Sequence, residues 1–459
     1  MKKNLVLVML AVICAACTSQ PAQAVTFDPS VRYSREVINA RMSSWKNKSN
    51  RVGFPNANST NGSTTPGTAA SWDYVPGVVA KGILDCWEYY KDSTWAAAWY
   101  EGLRDWGLDK IAKNTGGSLD DLNCTKVFFG LYDGAKPGGK FEHSGNAAYF
   151  MTQMERGADG LEDHNSRYSI SGTGSSADGG WYHKSDYGNQ MWCDGAYMGP
   201  ALLAQLLAYG VETTLTWADV MTQFTASWNG LWDADAKLLW HCFSIDKSSG
   251  GASGWVYAPD QPMIGGGYHS AEYWGRADGW YIMALVDVLE AMEKAGKKDD
   301  ADFVVIQGYL SQLAFGLVSR QDNATGCWYQ LLQYGAEKYA TRKDATGSST
   351  YKNSDPQYNY LESSGSCLIT GALLKGLRLG YIANTIDGKD IKAAAKKGYE
   401  GIIKQFLSGS AGSYELTSSC QSAGLGKDRN GSAAYYLVGK DVSIQNDSEG
   451  KVLGAFLMA

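Results

Sequence analysis

Residues 179–200 read GGWYHKSDYGNQMWCDGAYMGP, and this stretch carries the strongest structural signal in the chain. An imidazole, an ammonium group, carboxamides, several aromatic rings and two acids, Asp186 and Asp194, lie within these 22 residues. After Asp194, apolar residues recur at helical spacing, as Met198, Leu202 and Leu206 show. The pattern predicts a loop that turns into a helix at Asp194. Cationic donors, flat ring faces and an acid together suit a pocket for an acidic sugar.

Helical periodicity also dominates the rest of the chain. About a dozen segments carry apolar residues at spacings of three and four: 31–45, 77–90, 95–112, 122–132, 196–208, 217–228, 279–295, 301–317, 361–382, 391–407 and a short C-terminal segment. Long stretches rich in Gly, Ser and Asp, at 155–190, 244–275, 322–358 and 408–432, are predicted to be loops. The pattern predicts an all-α toroid of helical hairpins. The alternative, an α-solenoid, should show a fixed sequence period, and none is visible.

The N-terminus has the features of an export signal. Two lysines precede an apolar run over residues 5–16, which is too short to span a bilayer as a permanent helix. Cleavage before Cys17, within a lipobox-like CAAC, would attach a lipid anchor, whereas cleavage after Ala24 would release a soluble protein. We therefore expect a leader over residues 1–24 and one catalytic domain over 25–459, because no linker divides the chain after about residue 70. The expected location is the periplasm or the outer membrane of a bacterium.

Net charge and cysteine spacing exclude several classes of protein. The net charge of −6 provides no global attraction for nucleic acid, so an anionic ligand must be held by local cations. The cysteines at 86, 124, 193, 242, 327, 367 and 420 include no Cys-x-x-Cys pair. This spacing is too sparse for a disulfide scaffold and unlike that of a zinc site, so free buried thiols are expected. We predict a monomer with no metal or other cofactor.

Acids at two places in the chain are candidates for acid–base chemistry. Asp194 could instead be a helix N-cap, a position that favours Asp, but a cap does not require the cations and rings that precede it. Asp120 and Asp121 open a predicted helix, where the helix dipole also favours acids. They matter as possible partners of Asp194, because a pair of carboxylates is the usual equipment for hydrolysing glycosides.

A second motif, WGRADGW at residues 274–280, begins another helix from a loop. The guanidinium of Arg276, framed by two indoles, could clamp a carboxylate while the rings stack on sugar faces. The alternative is that Arg276 pairs with Asp278. A lone histidine such as His241 is more often structural, and Glu362 could mark either a site corner or a helix start.

These motifs resemble a known family. The pattern GGWxHK…NQMWxDGxYM, followed by WGRAxGW, is similar to the unsaturated rhamnogalacturonyl hydrolases of glycoside hydrolase family 105 and, less closely, to the unsaturated glucuronyl hydrolases of family 88. The resemblance implies an (α/α)6 barrel in which Asp194 is the catalytic acid and base and Asp120 the second carboxylate. It also implies a subsite for the unsaturated sugar that is lined by His183, Lys184, Trp192, His241, Trp274, Arg276 and Trp280.

The resemblance further implies an acidic oligosaccharide substrate, a lyase product with a Δ4,5-unsaturated uronic acid at its non-reducing end. Fragments of pectic rhamnogalacturonan are the first expectation, and unsaturated glucuronyl fragments of glycosaminoglycans or other uronate polymers the second. Asp194 would start protonated, hydrate the double bond and need no metal. Two further alternatives remain open from the residues: an inverting endo-glucanase on a similar toroid, and a lipoprotein that binds glycans without turnover.

Overall fold

The computed structural model describes residues 25–44, 72–246, 255, 266–341, 344, 356–426, 429–439, 441–448 and 450–459. Its α-helices are α1 (Tyr33–Ser44), α2 (Tyr74–Tyr90), α3 (Ala97–Gly107), α4 (Leu119–Asn123), α5 (Val127–Ala135), α6 (Ser144–Arg167), α7 (Gly195–Met198), α8 (Pro200–Ala208), α9 (Trp217–Leu231), α10 (Gly275–Lys294), α11 (Ala301–Ser319), α12 (Ser363–Leu379), α13 (Ile391–Phe406), α14 (Ala433–Val438) and α15 (Gly450–Met458). The predicted leader, with its candidate cleavage sites at Cys17 and Ala24, lies outside the described residues.

In the part of the chain that the structure describes, six helices form a closed inner ring. Helix α2 packs against α5, α8 against α10, α10 against α12, α12 against α15, and α15 returns to α2. A 3-10 turn at Cys124–Lys126 leads into α5 and contacts both α2 and α8, which completes the circle. Helices α3, α6, α9, α11 and α13 pack outside their inner partners, and α1 lies beside α2. The predicted all-α (α/α)6 barrel is confirmed.

The inner helix α10 is enclosed by its neighbours. Helix α10 is buried continuously from Gly275 to Leu289, as expected of a helix enclosed on all sides. It approaches α12 so closely that a Cβ on Gly279 would lie 2.8 Å from the Cβ of Leu368. Helix α11 is apolar and long enough to cross a membrane by composition alone, but it packs as the outer partner of α10.

One helix contradicts the prediction. Residues 155–167 were expected to be a loop, yet α6 continues through them to Arg167. The Gly, Asp, His, Asn and Ser residues of this segment weaken intrinsic helix propensity, but packing overrides it. A Cβ at Gly157 would lie 2.4 Å from Cγ2 of Thr125, and one at Gly160 would lie 2.4 Å from Cδ2 of Leu122. These glycines therefore allow α6 to pack closely against the neighbouring segment.

The strands are short, and one small sheet organises the site. The strands are β1 (Gln190–Trp192), β2 (Trp232–Asp233), β3 (Leu238–Leu239), β4 (Cys242–Ser244), β5 (Tyr268–His269), β6 (Tyr339–Ala340), β7 (Gln357–Tyr358), β8 (Thr385–Ile386), β9 (Lys389–Asp390), β10 (Leu407–Ser408), β11 (Glu415–Leu416), β12 (Ser419–Cys420) and β13 (Ile444–Gln445). Strands β1, β4 and β5 pair in that order, and Trp192 lies opposite Cys242. This register places Trp192, within the 179–200 stretch, beside the segment that contains His241.

The cysteines are part of the packed interior. Within the described ranges, the seven at positions 86, 124, 193, 242, 327, 367 and 420 are free and buried. This agrees with the prediction of buried thiols, and it means that helix packing rather than cross-linking holds the barrel together.

Candidate active site

A cavity of about 420 Å³ opens where the inner helices begin. Tyr74 is the first residue of α2, Asp194 directly precedes α7, and Arg276 and Lys451 lie in the first turns of α10 and α15. Helix N-termini carry partial positive charge, so their convergence favours an anionic ligand. The remaining lining residues are Asp73, Asp120, Asp121, His183, Lys184, Tyr187, Trp192, Met198, Trp274, Gln421, Ser422, Ala423, Arg429 and Asp441.

A second, larger cavity of about 640 Å³ lies near the other ends of the inner helices. It contains none of the predicted site residues. Its acids are largely paired with lysines, as in the 2.7 Å contact between Lys375 Nζ and Asp287 Oδ1. The chemistry expected from the sequence is therefore concentrated in the smaller cavity. Within the described ranges, no group of three or more His, Cys, Asp or Glu side chains is arranged to bind a metal.

Asp194 occupies the N-cap position of α7, but its side chain makes no capping hydrogen bond. The alternative interpretation of Asp194 as a simple cap is therefore not supported. Its Oδ2 lies 3.2 Å from Nε2 of His241. The contact is not aligned as a hydrogen bond, and neither atom has another hydrogen-bond partner among the described residues. The side chain keeps 13% of its surface exposed, on the cavity.

Asp120 is held by two neighbouring residues of the 179–200 stretch. Its Oδ2 lies 2.6 Å from Nζ of Lys184, and its Oδ1 lies 3.2 Å from Nε2 of His183. Burial alone would raise the pKa of Asp120, but these two side chains hold that pKa well below its usual range. The carboxylate in turn raises the pKa of Lys184. Asp121 also lines the cavity but is exposed, so Asp120 is the one of these two acids that the motif holds in place.

Aromatic rings form one wall of the site. Trp192 stacks on His183 with centroids 4.8 Å apart and on Tyr187 with centroids 5.0 Å apart. Its indole N–H donates to Oε1 of Gln190 at 2.8 Å, which fixes the ring plane. Trp274 also lines the cavity, with its ring 4.8 Å from that of His241. Flat faces with polar edges are suited to stacking against sugar rings.

Arg276 lines the cavity, but its guanidinium is engaged within the protein. Its Nε donates to Oγ of Ser364 at 2.7 Å, its Nη2 donates to the carbonyl oxygen of Cys420, and Nη2 lies 3.7 Å from Oε1 of Glu362. The alternative pairing with Asp278 is wrong. Glu362 also accepts the backbone N–H groups of Ser364 and Gly365, so its interpretation as a helix start is correct.

Two predicted lining residues lie elsewhere. Trp280 is on α10, is 1% exposed and packs against Tyr197 with ring centroids 4.6 Å apart, so it belongs to the barrel core. His241 is fully buried behind Asp194 and is not part of the cavity wall. The expected subsite is therefore corrected: Trp280 lies outside it, and His241 contacts Asp194 from behind the cavity wall.

The comparison with known families agrees with this geometry. The model of Glycosyl Hydrolase Family 88 matches residues 54–459. The chain belongs to glycosyl hydrolase family 88. It is therefore a glycoside hydrolase, and the predicted resemblance is confirmed.

Relatives of this family 88 hydrolase include Protein Atu3128 of Agrobacterium fabrum, which is 30% identical over 198 residues, 41% of this chain and 71% of that protein. A family 105 glycoside hydrolase of C. acetobutylicum is 26% identical, with a TM-score of 0.64 and coverage of 93% of this chain and 98% of that one. The unsaturated glucuronyl hydrolase of Bacillus sp. GL1 has the same fold at 14% identity, with a TM-score of 0.53 and coverage of 93% and 94%.

Several lining residues of this family 88 hydrolase were missed by sequence reasoning. They come from the first inner helix, from the segment around β1, and from C-terminal segments: Tyr74, Tyr187, Met198, Gln421, Arg429, Asp441 and Lys451. Arg429 Nη2 pairs with Asp441 Oδ2 at 2.6 Å. Tyr187 and Met198 lie within residues 179–200, but no local sequence pattern marks the other positions.

Proposed function

We propose that this hydrolase removes a Δ4,5-unsaturated uronic acid from the non-reducing end of lyase-generated oligosaccharides. The observation that carries the proposal is the uncapped carboxyl group of Asp194, which faces a cavity walled by aromatic rings and helix N-termini. The volume of about 420 Å³ suits a small saccharide. The relatives named above include a family 105 hydrolase and an unsaturated glucuronyl hydrolase.

The reaction begins at the enol ether of the substrate. Protonated Asp194 donates its proton to C4, and the positive charge that develops at C5 is shared by the ring oxygen. Water then adds at C5 while Asp194 takes one of its protons, which restores the acid. The resulting hemiketal opens and releases the next sugar. The alkene gains one hydrogen and one hydroxyl group, and no covalent sugar–enzyme intermediate forms.

The surrounding groups support this charge development. Asp120 remains ionised because Lys184 and His183 contact it, so it places a negative charge near the positively charged sugar. Arg276 is occupied by Glu362 and Ser364, so we assign it to positioning the starts of α10 and α12 instead of clamping the substrate carboxylate. The convergent helix N-termini are the better candidate for that carboxylate.

The finer substrate choice is also a proposal. Rhamnogalacturonan fragments from pectin are placed first because the family 105 relative is 26% identical to this chain, whereas the glucuronyl hydrolase is 14% identical. Unsaturated glucuronyl fragments are the second candidate. We also propose an exported monomer, with a lipid anchor at Cys17 if the lipobox-like site is the one processed.

The test follows the ultraviolet absorbance of the conjugated alkene. Lyase-treated rhamnogalacturonan, polygalacturonate and chondroitin are compared with the intact polymers. We expect absorbance loss with at least one lyase product, and no sugar release from intact polymer. Release from intact chains, or from an intact β-glucan included for the endo-glucanase alternative, would instead support an endo-acting hydrolase, and binding without turnover would support a glycan-binding protein.

Asp194→Asn is the companion variant. It keeps the shape of the side chain but cannot supply the proton, so turnover should be nearly abolished while substrate binding, measured by calorimetry, is retained. If Asp194→Asn hydrates the alkene at the rate of the unmodified enzyme, the assignment of Asp194 is wrong.

A further inference from the structure

A buried pair of side chains supports Asp194 from behind. Nδ1 of His241 lies 2.5 Å from the hydroxyl oxygen of Tyr436, and Nε2 lies 3.2 Å from Oδ2 of Asp194. His241 and Tyr436 are each 0% exposed, so water does not compete for these contacts. The two residues are 195 positions apart in the chain, and α14 brings Tyr436 to the site.

The imidazole of His241 is fixed in orientation. The rings of Trp192 and Trp274 pack around it, with centroids 5.2 Å and 4.8 Å away. Tyr436 is fixed in turn, because its backbone carbonyl accepts a hydrogen bond from Nε2 of Gln330 at 3.2 Å, while Oε1 of the same amide accepts the indole N–H of Trp274 at 3.0 Å. Nδ1 of His241 therefore has a fixed hydrogen-bond partner, whereas Nε2 faces Oδ2 of Asp194 without an aligned hydrogen bond.

The proton on a neutral imidazole has two possible positions, and here they have different consequences. If Tyr436 donates to Nδ1, the ring proton is on Nε2 and faces Oδ2 of Asp194. If Nδ1–H donates to the Tyr436 oxygen, the lone pair of Nε2 faces Oδ2 instead. The acidic proton of Asp194 would then be drawn to Oδ2, which is buried and out of reach of a substrate.

We propose that Tyr436 is a positioning residue that donates its hydroxyl proton to Nδ1 of His241 and so keeps Nε2–H directed at Oδ2 of Asp194. This inference rests on the proposed function, and it leaves the acidic proton of Asp194 on Oδ1. Because Oδ2 is buried while the side chain is 13% exposed, Oδ1 is the oxygen available to the cavity. Nε2 and Oδ2 lie 3.2 Å apart without hydrogen-bond alignment, and catalytic hydrogen bonds in unliganded sites often tighten only when substrate binds.

Burial controls the ionisation of the groups closest to the pair. The titratable groups that face Asp194 and His241 are Cys193, Cys242, Asp278, Glu272 and Tyr436, with Asp120, His183 and Lys184 beyond Trp192. Burial raises the pKa values of the two thiols, of Asp278 and of Tyr436 well above their ordinary values, and that of Glu272 to about 7. The thiols and acids closest to the pair are therefore largely uncharged below about pH 7.

Two measurements on the full-length protein test the proposal. Nitrogen-15 labelling of the five histidines reports which ring nitrogen of His241 carries the proton, with the signal assigned from a His241→Gln variant. We expect Nε2–H in the unmodified enzyme. Tyr436→Phe should then lower kcat at least about 10-fold, since loss of the correct tautomer in a Ser-His-Asp triad costs up to about 10⁴-fold.

The Tyr436→Phe variant should keep KM near that of the unmodified enzyme, because Tyr436 does not line the cavity. Its kcat–pH profile should also differ in shape from that of the unmodified enzyme, because the ring proton of His241 is no longer fixed on Nε2. Tyr435→Phe is the matched control, since the hydroxyl of Tyr435 accepts the N–H of Gly424 and does not touch His241.

The outcomes separate this inference from the proposed function. If the unmodified enzyme carries its proton on Nδ1, or if Tyr436→Phe matches Tyr435→Phe in both kcat and pH profile, the inference is overturned although the hydrolase activity stands. If no unsaturated substrate is turned over, the proposed function fails, and the tautomer measurement still decides the geometry. That measurement needs no Tyr436 variant, so misfolding of Tyr436→Phe would not obscure it.

Discussion

Nζ of Lys184 lies 2.6 Å from Oδ2 of Asp120, across an isolated bridge between Ser118 and Lys184 that joins the two segments. The backbone N–H of Leu119 also donates to the carbonyl oxygen of His183 at 3.1 Å. The acid and its two basic partners are thus joined by backbone as well as side-chain contacts. Residues 179–200 and the start of α4 therefore form one unit, in which His183 and Lys184 keep the carboxylate of Asp120 ionised inside the cavity.

Lys184→Met tests this unit. Without the ammonium group, only His183 opposes the effect of burial, so the pKa of Asp120 rises. Activity measured as kcat/KM should fall most at low pH, where Asp120 becomes protonated, and the acidic limb should move to higher pH. Lys392→Met, on the exposed face of α13, is the control and should leave the profile unchanged. If kcat/KM depends on pH in the same way in both variants, the ion pair does not control the ionisation of Asp120.

Glu272 makes stability depend on pH. Burial raises its pKa to about 7, well above the value of about 4.3 for an unfolded chain. The folded state therefore binds the extra proton, and the free energy of unfolding should decrease as pH rises from about 4 to about 7. Glu272→Gln removes this dependence, so at pH 8 the variant should be more stable by up to about 3 kcal/mol, with little difference at pH 4. Urea unfolding of the unmodified protein and of Glu272→Gln at both pH values measures the free energy of unfolding. A difference between the two proteins that is the same at pH 4 and pH 8 would contradict the raised pKa of Glu272.

Lys375 neutralises a carboxylate in the barrel interior. Its Nζ lies 2.7 Å from Oδ1 of Asp287, which is 1% exposed, and 2.5 Å from Oε2 of Glu290. Burial alone would raise the pKa of Asp287, but Lys375, with Lys81 and Lys126 nearby, holds it at about 2.

Lys375→Met should therefore cost about 3–5 kcal/mol of stability near neutral pH, the usual loss when one partner of a buried pair is removed. The stabilisation is present above the unfolded pKa of about 3.9 and is lost as pH falls toward 2. The double variant Lys375→Met/Asp287→Asn should recover much of the loss in a double-mutant cycle. Purely additive effects would show that the pair is not coupled.

The sequence predicted the barrel and much of the cavity because these signals are local. Helical periodicity is visible within each segment, and His183, Lys184, Trp192 and Asp194 lie in one motif. Trp280 was misplaced for a geometric reason: it lies four residues after Arg276 on α10, one helical turn further from the cavity. The contacts of His241 with Tyr436 and of Arg276 with Glu362 join distant parts of the chain, so no local pattern predicts them.

The outer layer offers a stability test that is independent of the active site. Gly316 on α11 faces the turn between β2 and β3, and a Cβ there would lie 1.7 Å from the carbonyl oxygen of Lys237. Lys237 has a φ of 58°, so this turn is already in a left-handed conformation and has little freedom to move away. Gly308, on the same helix, has no heavy atom within 4 Å of the corresponding position.

Gly316→Ala should therefore destabilise the protein by about 1–3 kcal/mol, the usual cost of overpacking, although alanine is the better helix former. Gly308→Ala should instead stabilise it by up to about 1 kcal/mol, because the gain in helix propensity meets no clash. Urea unfolding of both variants measures the difference. Equal stability would mean that α11 does not contact the β2–β3 turn, whereas opposite signs would show that packing against Lys237, and not local helix preference, requires glycine at position 316.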